Sequence, residues 1–364
     1  MRNLRAWRGC LLAATMSTLA VVLGTGQATA STAPVATAAP CSVVSAGNLA
    51  DRYWIANGAR QAAGNWQNAT FNVANLHLVA LTGVANHYSL PWAQKLGWRL
   101  GTTRNASFPD NFAVGEAYID ISQLHTGGGV NLTPLRTRVG ALVSGRNTGV
   151  ENYVDSLNMN LPAVAQLGVL DGSQADLTFV HNAYTFAEKT HGLYNPAVGL
   201  WWRDGSFVHS NTYWSRGNGW AIMATAKLLA DLPASDPLRP ELVSVLRAMA
   251  AELRKIQRPD GAWGGDLLDP THVPGPEESG TGFFTFAIAW GIDNGLLDAA
   301  TYGPVVRNAW HWLSGTALHA NGLVGFVQPE GSAPAPTTPT TTRAYGAGAF
   351  ILAATEVARL TPGC

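Results

Sequence analysis

Charge is what this chain has least of. Lys, Arg, Asp and Glu make up only 13% of its 364 residues, about half of the ~25% usual in soluble domains. The 23 basic residues are balanced by 23 acidic ones. A formal net charge of zero leaves no basic stripe for a nucleic-acid backbone and no general surface for a long polyanion. Cysteine is nearly missing too: Cys10, Cys41 and Cys364 are the only three, which excludes a Cys-based zinc set. The nine His never fall in an H-E-x-x-H pattern, and there is no P-loop, no G-x-S-x-G elbow and no G-x-G-x-x-G behind a strand. Neither a metal nor a cofactor is therefore expected. Beyond the first thirty residues no apolar run is long enough to span a bilayer.

What the chain does have is apolar bulk: 47% hydrophobic residues, 13 Trp and 39 Gly. That supports a large core and excludes disorder as a description of the whole. Residues 1–30 read as a secretory signal peptide, with Arg2, Arg5 and Arg8 ahead of an apolar run from Leu11 to Gly24 and the small residues Ala28-Thr29-Ala30 at the cleavage site. Cleavage near Ala30 removes three Arg and no acid, so the secreted chain is slightly acidic. Residues 31–40, rich in Ala, Thr, Pro and Ser, read as a flexible leader, and 41–364 as one domain. Cys10 leaves with the signal. The remaining pair, Cys41 and Cys364, is expected to bridge in an oxidising compartment; two free thiols are the alternative. A bridge requires the two Cα atoms to lie within ~7 Å, so the fold should close on itself.

Helical periodicity dominates the rest. Twelve segments are predicted, at 46–63, 70–83, 87–101, 110–126, 132–146, 155–169, 174–190, 216–232, 237–257, 278–295, 299–317 and 344–360. Six helical hairpins with joined ends fit an all-α, closed (α/α)6 barrel; an open solenoid would separate the termini. Residues 326–343, rich in Pro and Thr, read as a surface loop and Gly127-Gly128-Gly129 as an interhelix turn.

Polar and aromatic clusters stand at the starts of the even-numbered segments: Trp66-Gln67-Asn68, Asp110-Asn111, Tyr153 with Asp155, Trp214-Ser215-Arg216-Gly217-Asn218-Gly219-Trp220, Glu277-Glu278-Ser279 and Arg343-Ala344-Tyr345. In such a barrel the alternate helices run parallel in the inner ring, so these clusters meet at one mouth. Helix N-termini favour an anion there, Trp faces suit sugar rings, and Arg216 can grip a carboxylate with two parallel hydrogen bonds. An acidic oligosaccharide is the expected partner. Asp110 and Asp155 are the leading pair for acid–base work at a glycosidic bond, with Glu116, Asp120, Asp176, Glu277 and Glu278 as competitors. Proximity and burial should raise the pKa of one of the pair. His209, just before the Trp214 cluster, is a candidate substrate contact; His87, His181, His191 and His272 read as surface or satisfied residues.

Tyr213-Trp214-Ser215-Arg216-Gly217-Asn218-Gly219-Trp220 resembles the W-x-R-G-N-G-W signature of the unsaturated rhamnogalacturonyl hydrolases, glycoside hydrolase family 105, related to the unsaturated glucuronyl hydrolases. Asp155 to Pro162, with Met159, is similar to that family's D-G-L-Y-M-x-x-P stretch, and Glu278-Ser279 and Tyr345-Gly346-Ala347-Gly348-Ala349-Phe350 to its C-terminal motifs. The resemblance implies an (α/α)6 barrel of the six-hairpin glycosidase type and a metal-independent hydrolase. Such an enzyme removes the 4,5-unsaturated uronic acid left on an oligosaccharide by a lyase, here from rhamnose of rhamnogalacturonan. It implies Asp155 as the catalytic acid, Asp110 as a second acid, and Arg216, Trp214 and Trp220 as substrate contacts. Departures leave the sugar open: Arg203 follows Gly199-Leu200-Trp201-Trp202 where the family has His, Tyr153 stands for Trp, Ser156 for Gly and Asn158 for Tyr. Another (α/α)6 glycosidase or lyase acting on a saturated glycan, and a carbohydrate-binding barrel without catalysis, are the competing readings. Oligomeric state is not encoded legibly.

Overall fold

The computed structural model describes residues 41–58, 63–83, 88–124 and 129–364. The expected signal peptide, leader and cleavage site, His87, and Gly127 and Gly128 lie outside them. Twelve helices organise the described residues: α1 (Ser42–Asn57), α2 (Trp66–Thr82), α3 (Ser89–Lys95), α4 (Ala113–Leu124), α5 (Thr133–Gly145), α6 (Leu161–Asp171), α7 (Gln174–Thr185), α8 (Ser215–Asp231), α9 (Arg239–Ile256), α10 (Glu278–Asp293), α11 (Ala299–Trp312) and α12 (Ala344–Leu360).

Burial sorts them into two rings. In α9 only one stripe is buried, at Leu242, Val245, Leu246, Met249, Ala250 and Leu253, the spacing of a helix with one face on a core and the other in water. In α10 every residue from Glu278 to Gly291 is buried, as it must be for a helix enclosed on all sides. The even-numbered helices form a closed inner ring in which α2 packs on α4, α4 on α6, α6 on α8, α8 on α10, α10 on α12 and α12 back on α2. The odd-numbered helices lie outside. This is the expected (α/α)6 barrel.

Small residues set how closely the inner helices approach. A Cβ on Gly282 of α10 would come within 2.8 Å of the Ala349 backbone of α12, and one on Gly348 within 2.9 Å of the Thr70 carbonyl of α2. The ring is sealed covalently as well. Cys41, at the head of α1, is bonded to Cys364, with Cα atoms 5.1 Å apart.

Several boundaries differ from expectation for local reasons. α1 begins at Ser42, four residues early, and ends at Asn57. The segment expected over 87–101 is helical only from Ser89 to Lys95, because Gly97 and Trp98 turn left-handed, at φ 62° and 59°. The sixth segment is split: a single turn, Ser156–Met159, precedes α6, since Pro162 has no N–H and its ring crowds the preceding turn. Among the described residues, four two-residue strands make two small ribbons, Tyr194–Asn195 against Leu200–Trp201 and Trp263–Gly264 against Pro276–Glu277.

Candidate active site

Asp155 sits on the turn that leads into α6, the inner helix of the third hairpin. Its carbonyl accepts from the backbone N–H groups of Asn158 and Met159, at 3.0 and 3.2 Å, so the single turn Ser156–Met159 holds it in place. The chain running out of the Leu200–Trp201 strand pairs alongside, with Val154 N–H donating to the Arg203 carbonyl at 2.7 Å and Tyr153 bridged to Asp204. This pairing carries Arg203 to Asp155: Nε lies 3.7 Å from Oδ2. The Arg203 guanidinium also bonds Asp204 at 2.6 Å and lies over the Tyr153 ring, 5.0 Å from its centroid. Tyr153 in turn donates its hydroxyl to Asp110 Oδ1 at 2.6 Å. Asp110 arrives on the short turn Pro109–Asn111 just ahead of α4.

The opposite wall comes from α8, α12 and the 326–343 loop. Arg216 is buried, and its terminal nitrogens donate to the carbonyls of Gln328 and Pro329 at 2.9 and 3.0 Å. It lies against Trp214 (4.4 Å) and Tyr345 (5.0 Å). Two of its five N–H donors are thereby engaged, which fixes the plane of the group. Trp66 stacks on Tyr345 at 5.0 Å and meets Trp220 edge-on at 6.0 Å. Residues from the starts of α2, α6, α8 and α12 thus converge at one mouth, as the periodicity implied.

Burial raises the Asp155 carboxyl to about 6; the charges of Arg203 and Arg216 draw it down in part, and Asp110 adds to the rise. Its Oδ2 is buried and has no hydrogen-bond partner. Burial also raises Asp110, against the lowering effect of the Tyr153 hydroxyl and of Arg104 and Arg203. An acid that holds its proton at mildly acidic pH, paired with one guanidinium group and within the fields of a second and of another carboxyl, can give up that proton and take it back.

The other candidates are dispersed. Met159 is buried in the hydrophobic core. His209 stands edge-on to Trp202 at 5.6 Å and lines a separate hollow with Tyr194 and Tyr213. Glu277 caps α10, accepting from Ser279 N–H at 3.1 Å and Gly280 N–H at 2.7 Å. Glu278 is fully buried with neither oxygen partnered, and burial raises its pKa well above the ordinary value. Asp176 lies in the first turn of the outer helix α7. Glu116 and Asp120 form a buried cluster with His77, Lys227 and Asp231, and Lys227 and Asp231 fall in the last turns of α8, away from the mouth. Among the described residues, His77, Glu116 and Asp120 are the group of three whose ligand atoms lie within 4.8 Å of one another. Lys227 Nζ is 2.8 Å from Glu116, so an ammonium already occupies the cation position at that carboxylate.

Two residues escaped the sequence reading. Gln328 is fully buried and central: its carbonyl accepts from Arg216 and from Tyr345 (2.5 Å), its side chain accepts from Trp214 Nε1 at 3.0 Å, and its N–H donates to Glu277 at 3.1 Å. The 326–343 segment therefore contributes a wall of the mouth as well as surface. Glu151 is fully buried, accepts from Asn160 at 2.7 Å, and is raised by burial to about 7. A lone Gln in a Pro- and Thr-rich loop carries no periodic signal; Glu151, four residues before Asp155, could have been found from the acidic density there.

With this geometry, the pattern of Glycosyl Hydrolase Family 88 matches residues 51–361. The chain belongs to that family. Two curated relatives of this chain are named unsaturated 3S-rhamnoglycuronyl hydrolase. One, from Formosa agariphila, is 37% identical over 187 residues, 48% of this chain and 49% of the relative. The other, from an Alteromonas species, is 34% identical over 211 residues, 56% and 50% of the two chains. The chain spans about half the length of these curated relatives. A solved family 88 structure from Bacteroides vulgatus is 30% identical, covers 88% of this chain and 99% of its own, and superposes with a TM-score of 0.81. A structure named as a polysaccharide lyase is similar at 30% identity and a TM-score of 0.82, covering 88% and 98%. A possible family 105 member from Salmonella enterica shares the fold at 17% identity and a TM-score of 0.72, covering 92% and 100%.

Proposed function

We propose that this family 88 chain is a hydrolase that removes a terminal 4,5-unsaturated uronic acid from lyase-generated oligosaccharides, with rhamnose as the sugar released. The observation that carries the reading is Asp155: a half-buried carboxyl raised to about 6, its Oδ2 paired with Arg203 but without a hydrogen bond, and within the fields of Arg216 and Asp110. The names of the two curated relatives support a uronyl–rhamnose linkage.

In this mechanism neutral Asp155 donates its proton to C4 of the C4=C5 enol ether, and positive charge develops at C5 and the ring oxygen. The resulting carboxylate takes a proton from water as that water adds at C5, which regenerates the acid. The hemiketal so formed opens and expels the sugar. Arg216, held flat between Trp214 and Tyr345, is the group assigned to the uronate carboxylate. Arg203 balances Asp155 in its ionised phase, and Tyr153 keeps Asp110 oriented toward it. Trp66, Trp220 and Tyr345 supply the apolar wall. We also assign the enzyme to the extracellular space; the Cys41–Cys364 bridge supports this because oxidising compartments favour disulfides.

Incubation with lyase digests of rhamnogalacturonan and of ulvan should erase the ultraviolet absorbance of the unsaturated uronate. A rise in absorbance on intact polymer would instead identify a lyase, the second reading favoured by the lyase-named structure. No change in absorbance on any digest would overturn the assignment.

A further inference from the structure

Next in sequence to the stacked pair Trp66–Tyr345, residues of α1, α2 and the 326–343 loop enclose a hollow of about 540 Å3, in the size range of sites that hold a small ligand. Its walls are the last turns of α1, with Tyr53, Trp54 and Asn57, the start of α2, with Gln67, and the pair Glu330 and Arg343. Gln67 directly follows Trp66 and Ala344 directly precedes Tyr345, so the hollow begins where the aromatic pair ends. Glu330 follows Pro329, whose carbonyl holds Arg216. The two spaces therefore share one partition.

Resting on the function proposed above, we propose that this hollow binds the second sugar of the leaving oligosaccharide, and that this sugar is an uncharged pyranose. The lining is made of aromatic rings and side-chain amides. Its two charged groups, Arg343 and Glu330, are already bonded to each other at 2.8 Å, so no unpaired charge remains to recognise a uronate or a sulfate. Three polar atoms of the wall, Trp54 Nε1, Gln67 Oε1 and Thr342 Oγ1, are buried and have no partner in the protein. Leaving such atoms unsatisfied is unfavourable, and sugar hydroxyls, each both donor and acceptor, can satisfy donors and acceptors alike. The hollow beside His209 is similar in volume, about 580 Å3, but its polar groups are matched: Asn195 donates to the Tyr213 hydroxyl at 2.7 Å and Trp202 Nε1 to the Ser210 carbonyl at 3.0 Å.

The test uses three substrates, each ending in an unsaturated uronate joined to rhamnose: the disaccharide, a trisaccharide extended by a neutral pyranose, and one extended by a uronate. The neutral trisaccharide should show kcat/KM about tenfold above the disaccharide, with the gain in KM. Asn57→Trp, which fills the hollow from an exposed position, should remove that advantage, and Gln67→Ala should reduce it. Calorimetry of the same saccharides with Asp155→Asn reads the preference without turnover. Equal affinity for the disaccharide and the neutral trisaccharide, or a preference for the uronate extension, overturns the proposal. If the wild-type enzyme cleaves none of the three, the hydrolase reading fails, while calorimetry still decides whether the hollow selects a neutral sugar.

Discussion

The Asp155 carboxyl, to which the proposed chemistry is assigned, also weakens the fold once it ionises. Its folded pKa, about 6, lies above the ordinary 3.8, so the native state holds this proton more tightly than the unfolded chain. Below pH 4 there is no penalty. As pH rises from about 4 to about 6 the unfolded chain ionises first and stability falls; above 6 the loss is complete, up to about 3 kcal/mol. Asp155→Asn should therefore lower turnover by about 10²–10⁴-fold, the usual contribution of a positioned acid, and raise the melting temperature at pH 8. A variant that is both inactive and less stable at pH 8 would show that the side chain is structural. The same group predicts the pH profile: kcat/KM should fall about tenfold per pH unit above pH 6, as the proton required at C4 is lost. An activity plateau extending to pH 9 would assign the acid elsewhere.

Among the elements, α10 and the 326–343 loop carry the most specific demands. α10 meets α12 so closely that Gly282→Ala places a methyl group 2.8 Å from the Ala349 backbone. The helices have to separate, and the cost should be about 1–3 kcal/mol, read as a lower denaturation midpoint. An unchanged midpoint would mean that the ring is more loosely packed than its geometry indicates. In the loop, Gln328 joins three walls of the mouth. Gln328→Ala removes the acceptor of Trp214 Nε1 and leaves a buried donor unpaired, a loss of about 1–3 kcal/mol. Its backbone bonds to Arg216 and Tyr345 can persist, so KM should rise while the pH inflection of Asp155 stays near 6. A shift of that inflection would mean that Gln328 acts on the acid itself.

On the scale of the whole molecule, closure of the ring is what brings the site together. Cys41 and Cys364 are 323 positions apart in sequence, and a crosslink over so long a loop removes much of the freedom of the unfolded chain. By that account reduction, or Cys41→Ala, should cost about 2–5 kcal/mol, seen as a lower melting temperature in reductant with activity at 25 °C retained. Equal melting temperatures with and without reductant would show that the α12–α2 contact alone suffices for closure.

The twelve helices of the described residues, the even-numbered clusters at one mouth and the Cys pair could all be read from the amino-acid order. Those features rest on periodicity, capping and short motifs, which act within a few turns of chain. Tertiary structure alone decided which distant residues meet. The pairing of Val154 with Arg203 set the guanidinium beside Asp155, and ring closure brought Gln328 to Arg216 across 112 positions. The same closure placed His209 in a separate hollow, gave Glu116 to Lys227, and opened the hollow between α1, α2 and the loop. No local pattern encodes such contacts, because each depends on where a second helix stops and on how closely its glycines let a third approach.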